Sequence, residues 1–131
     1  MRVVFCDDEA IIRKLIELSL KGTAYEFRLA ADGNEALDIM QRWHPDALIT
    51  DVAMPGMDGI QLAAAVRADP GLRDVRIVFM TASIHRDAIE DNVALHGPTG
   101  HLRKPFGPAA MRTLLASLDD PAERGRRIAG V

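Results

Sequence analysis

Little in this chain of 131 residues could staple, stack or span. It has one cysteine, Cys6, so no internal disulfide can form, and a cage of thiolates around a metal is argued against. Aromatic side chains make up 5% of the chain, too few for the stacking platforms that hold single-stranded nucleic acids. Neither sign of charge dominates. Sixteen Lys and Arg against nineteen Asp and Glu leave a net charge of −3, which gives no support for nucleic-acid binding. Long hydrophobic runs are missing as well. The opening "MRVVFCDDEA" turns acidic after a run too short for a signal peptide, and no stretch has the length to span a bilayer. These absences predict a cytoplasmic protein with neither a membrane nor a nucleic-acid partner. There is no repeat of solenoid period and no low-complexity tract.

What is present suits one folded domain. Hydrophobic residues at 48% can fill a core, and charged residues at 27% can cover it. Three unbroken apolar runs, Val3–Cys6, Ala47–Thr50 and Ile77–Met80, read as parallel strands covered on both faces. Tyr25–Ala30 alternates in polarity and Gly100–Lys104 is short and polar, so these two read as edge strands. Helical patterns lie between them. Ala10–Lys21 carries a wide stripe of Ile11, Ile12, Leu15, Ile16 and Leu18. Asn34–Gln41 is shorter. Gly59–Ala68 follows Asp58, a candidate N-cap. Arg86–Leu95 is the least apolar, and Pro108–Leu118 opens with proline in the first turn. This βα alternation predicts an α/β fold, a doubly wound parallel sheet of five strands with five helices. The flavodoxin-like order 2-1-3-4-5 would place the two polar strands at the edges. It would also put the topological switch point between strands 1 and 3. The domain is expected over residues 1–118, with 119–131 as a tail or the start of a linker.

In a parallel sheet the strand ends face one way. Strand 1 ends at Asp7 and Asp8, followed by Glu9. Strand 3 ends at Asp51, strand 4 at Thr81 and strand 5 at Lys104. Carboxylates, a hydroxyl and an ammonium from distant parts of the chain are therefore expected to converge. Crowded carboxylates call for a cation, and Lys104 is expected to neutralise one of them. The surplus suits Mg²⁺, which takes one or two carboxylates, keeps waters and accepts phosphate oxygens. A spare carboxylate beside a metal and a lysine is a candidate nucleophile toward phosphorus. Read singly, each residue has a plainer explanation. Asp7 and Asp8 could cap the first helix, Thr81 could be a strand-end hydroxyl, and Lys104 a surface lysine. Cys6 reads as an inert core thiol.

Together, "FCDDE", "LITDVAMPGMDG", "VFMTAS" and "HLRKPF" resemble the receiver domains of two-component response regulators, the chemotaxis-regulator type of switch. The likeness runs from about Arg2 to Leu118. It implies that Asp51 is the phosphoacceptor and a metal ligand, that Asp8 ligates Mg²⁺ directly, and that Asp7 acts mainly through water. It further implies the backbone carbonyl of Ala53 as a ligand, Lys104 as the partner of Asp51 and of its phosphoryl group, and Thr81 as the switch hydroxyl. The family usually has Tyr or Phe where this chain has His101, so an imidazole would have to serve as the moving switch residue. Ala53 and Ser83 fall where the family tunes phosphoryl lifetime, and a cis Lys104–Pro105 bond is implied. The implied partners are a histidine kinase or histidine phosphotransfer protein and a downstream protein bound at strand 5 and the last helix pair. The implied activity is a signalling switch that catalyses only its own phosphorylation and dephosphorylation. Two other readings are a small Mg²⁺-dependent phosphatase with an aspartyl-phosphate intermediate and a phosphorylation-independent binding module. The phosphatase reading expects an Asp-x-Asp motif after strand 1, whereas here the acids are adjacent.

Overall fold

A computed structural model of the chain describes residues 1–81 and 100–119. Five parallel strands form one sheet in the order β2-β1-β3-β4-β5. They are β1 (Arg2–Cys6), β2 (Glu26–Ala30), β3 (Ala47–Asp51), β4 (Arg76–Thr81) and β5 (Gly100–Arg103). Among the described residues there are four α-helices, α1 (Ala10–Leu20), α2 (Gly33–Trp43), α3 (Gly59–Ala68) and α4 (Pro108–Asp119), and a short 3₁₀ turn at Pro70–Leu72. The helix expected over Arg86–Leu95 lies outside the described residues, as does the tail beyond Asp119. No helix among the described residues is long and apolar enough to cross a membrane.

The apolar runs form buried strands because successive side chains point to opposite faces, and both faces are covered. Val4, Cys6, Leu48, Ile77 and Phe79 join Ala36 and Met40 of α2 and Leu62, Ala63 and Val66 of α3 on one side. Val3, Phe5, Ile49, Val78 and Met80 join Ile16 and Leu20 of α1 and Met111, Leu115 and Leu118 of α4 on the other. The polar strands β2 and β5 are the edges, as their polarity predicts.

The apolar stripe of α1 is not buried across its width: Ile11 is 74% exposed and Leu18 55%. These two lie seven residues apart on one line of the helix. Ile16, Ser19 and Leu20 form the buried face on another. The sheet and α4 cover a single arc, so apolar residues outside it stay in water.

Local signals set the other helices. Asp32 caps α2 by accepting the Glu35 N–H at 2.8 Å, while the Glu35 carboxylate accepts the Ala31 N–H at 3.2 Å. Asp58 and Gln61 form a reciprocal capping box at the start of α3, with bonds of 2.8 and 3.0 Å. Helix α2 runs two residues past its expected end, because His44 adopts a left-handed conformation (φ 52°) and its N–H closes the last turn on the Met40 carbonyl.

Candidate functional site

The register of the sheet makes the site. Cys6 of β1 lies level with Thr50 of β3, so the next residues, Asp7 and Asp51, leave neighbouring strands at the same height. Asp51 is in turn level with Met80, one residue before Thr81, and Thr81 is level with Arg103, one before Lys104. The acids and the ammonium therefore converge. Asp7, Asp8, Glu9 and Asp51 each offer a carboxylate oxygen, and these oxygens lie within 4.8 Å of one another. Asp7 and Asp51 are buried, and Asp8 and Glu9 are exposed. The mouth of the cluster is thus wet while its floor is dry.

Lys104 bridges the floor. Its Nζ stands 2.7 Å from Asp7 Oδ2, 3.3 Å from Asp51 Oδ1 and 4.0 Å from Glu9 Oε1. One ammonium balances one negative charge, as expected. In the structure that ammonium is shared, and Asp7 holds it more closely than Asp51 does. Burial alone would lower the Lys104 pKa, but the hydrogen bond and charge of Asp7, joined by those of Asp51, outweigh it and leave the ammonium above its ordinary value. For Asp51 burial dominates. It raises the carboxyl above its ordinary value, with Lys104 pulling down and the charges of Asp7 and Asp8 adding to the rise.

The other oxygen of Asp7, Oδ1, accepts the Glu9 N–H at 2.9 Å. The plain reading has Asp7 and Asp8 capping α1, but the N-cap position falls on Glu9; one Asp7 oxygen bonds the N–H of that residue and the other faces Lys104. Glu9, the N-cap of α1, makes no side-chain capping bond. Thr81 is buried at the end of β4, and its carbonyl accepts the Lys104 N–H at 2.9 Å, which ties the two residues together through the backbone. Ala53 is exposed in the loop after β3. His101 sits in β5 level with Phe79, but its side chain and the whole of Ser83 lie outside the described residues. The Lys104–Pro105 peptide is cis, as the resemblance implied.

The cluster fits a small hard cation. Its donors are all oxygens, it has more carboxylates than the one lysine can balance, and two of the acids open to solvent where waters could complete a shell.

Three features were not foreseen. A Cβ at Gly59 would overlap the Asp51 carbonyl oxygen and come within 3.0 Å of Val52 Cα, so only glycine lets α3 start this close to the end of β3. A Cβ at Gly33 would come within 2.7 Å of the Met57 carbonyl oxygen, so the first residue of α2 backs the same loop. Arg13, on α1, donates from Nη1 to the Asp7 carbonyl at 2.9 Å. The two glycines stand where helices begin, a signal open to sequence reading; Arg13 carries none, because its partner is a backbone atom.

A family model described as the response regulator receiver domain matches residues 3–116. Among curated proteins, the response regulator MprA of Mycobacterium leprae is 37% identical over 120 residues, which is 90% of this chain and 49% of MprA. The DNA-binding response regulator MtrA of Mycobacterium tuberculosis is 33% identical over 128 residues, 93% of this chain and 54% of MtrA. The chain thus spans about half the length of the curated relatives it matches. Among solved structures, the chemotaxis response regulator CheY4 of Vibrio cholerae superposes with a TM-score of 0.80 at 32% identity, covering 89% of this chain and 97% of that one. The receiver domain of the sensor histidine kinase PA1611 of Pseudomonas aeruginosa, solved with a magnesium ion in its active-site cleft, gives 0.78 at 27% identity, covering 89% and 95%.

Proposed function

We propose that this chain, which belongs to the response regulator receiver domain family, takes a phosphoryl group from a phosphohistidine onto Asp51 and changes conformation as a result. One observation carries the reading: the buried Asp51 carboxylate, 3.3 Å from the Lys104 ammonium, shares a space of a few ångströms with three other acids. Such a group is poorly solvated and poised to form a bond. An Asp51 oxygen attacks phosphorus, the P–N bond of the donor breaks, and the imidazole leaves with its electron pair and takes a proton from water.

Mg²⁺, held by Asp8, Asp51 and the Ala53 carbonyl with Asp7 acting through water, would neutralise charge on the transferring phosphoryl oxygens. Lys104 already stands within ion-pair distance of both Asp7 and Asp51, and it shifts toward the new phosphoryl oxygens as they gain charge. Thr81 donates its hydroxyl to the phosphoryl group, and the strain passes along β4 and β5. His101 and the exposed Arg103 lie on β5, the edge strand beside which a downstream partner would read the change. The exposed Ile11 and Leu18 on α1, which starts at the acid cluster, support docking of the kinase or phosphotransfer protein there.

The experiment is intact-mass measurement after treatment with acetyl phosphate and Mg²⁺. Wild type gains the mass of one phosphoryl group and Asp51→Asn gains none. Equal labelling of the two proteins, or no labelling of wild type, refutes the reading.

A further inference from the structure

We propose that Arg13 is a positioning residue for the metal pocket: from α1 its guanidinium holds the Asp7 carbonyl and so fixes the peptide that carries Asp8. The inference rests on the receiver reading above. At the end of β1 the Asp7 N–H still pairs with the Ala30 carbonyl at 3.1 Å. The chain then turns, and the Asp7 carbonyl leaves the sheet within a fully buried residue. A buried carbonyl requires a donor. Among the described residues, Arg13 is the side chain that supplies one, at 2.9 Å.

The consequence falls on the next residue. The Asp7 carbonyl and the Asp8 N and Cα share one rigid plane. Both carboxylate oxygens of Asp7 are engaged, one by the Glu9 N–H and one by Lys104. Asp8 differs: among the described residues no hydrogen bond or ion pair holds its exposed carboxylate. Its placement comes from its backbone, and its backbone plane is pinned by Arg13. Nor is Arg13 an ordinary surface ion pair, since among the described residues it meets no carboxylate. Its charge also stands behind an acid cluster that Lys104 alone does not balance.

The test uses the unphosphorylated protein. Mg²⁺ affinity is measured by titration calorimetry for wild type, Arg13→Met, Arg13→Gln and Arg13→Lys, with melting curves in EDTA alongside. Arg13→Met removes the donors and keeps the stem. It should weaken Mg²⁺ binding on the order of tenfold. The Mg²⁺ needed for half-maximal labelling by acetyl phosphate should rise by the same factor, with the labelling rate at saturating Mg²⁺ changed less than about twofold. Arg13→Lys should fall between. A merely structural arginine would lower the melting curve and leave Mg²⁺ affinity alone, so an Arg13→Met protein that binds Mg²⁺ like wild type overturns the proposal. Where Arg13→Met does not fold, Arg13→Gln, whose shorter amide does not reach, decides in the same way. If wild type binds Mg²⁺ and labels at Asp51 while the variants match it, only the role of Arg13 falls. If wild type does neither, the receiver reading and this inference fall together.

Discussion

At Asp51 burial opposes ionisation and Lys104 favours it, and burial wins. A carboxyl whose pKa is raised on folding holds its proton more tightly in the native state. Its ionisation therefore costs stability once pH rises past the ordinary value of 3.8. In EDTA at pH 7, Asp51→Asn should melt at a higher temperature than wild type, and the gain should shrink as pH falls toward 3.8. A variant no more stable than wild type at pH 7 would contradict the assignment. Lys104 works in the opposite sense. Its raised pKa gives stability that is full below 10.5 and is lost only as pH climbs through the higher folded value. Cys6 is the quiet neighbour. Its thiol is fully buried and pushed up to about 12, chiefly by burial. Native protein should resist alkylation at pH 8.5 while the unfolded chain reacts at once; native labelling at the unfolded rate would mean that Cys6 is accessible. These residues could be named from sequence, since acids and a lysine at strand ends are conspicuous. Their division of labour could not. That Lys104 prefers Asp7 to Asp51 is a matter of tenths of an ångström, set by side chains from three strands.

Among the elements, helix starts were more legible than helix faces. Asp58 before Gly59 marks α3, and the structure has the full capping box there. How much of the α1 stripe is buried cannot be read from sequence, because Ile11 and Leu18 look the same there as Ile12 and Ile16. Only neighbouring elements decide which arc is covered. Gly59 shows a constraint of another kind. Its N–H bonds the Val52 carbonyl at 2.8 Å, and any Cβ would strike the Asp51 backbone. Gly59→Ala must therefore push α3 from β3 or displace Asp51. It should cost about 3 kcal/mol of stability in urea denaturation, the upper end for overpacking, and slow labelling of the surviving folded protein. A cost below about 0.5 kcal/mol, with labelling unchanged, would show that the contact relaxes freely.

For the whole molecule, the sheet order brings residues 7–9, 51, 81 and 104 to one end, so a cation bound there would link metal binding to stability. A cation that binds the native cluster but not the unfolded chain stabilises the fold by about 1.4 kcal/mol at ten times its Kd. Mg²⁺ should thus raise the melting temperature of wild type, EDTA should reverse the rise, and Asp8→Asn should abolish most of it. A melting temperature indifferent to Mg²⁺ in wild type would argue that the acids do not form a metal site. The amino-acid order by itself determined the alternation of strands and helices, the edge positions of β2 and β5, and the residues at the strand ends, because hydrophobic periodicity and strand polarity are local properties of the chain. Which oxygen meets which nitrogen, which face of α1 stays wet, and how Arg13 and Gly59 support the acids were decided only in three dimensions. Those outcomes depend on strand register and on contacts with backbone atoms, which are identical at every residue; of them only Gly59, a glycine at a helix start, leaves a mark in the sequence.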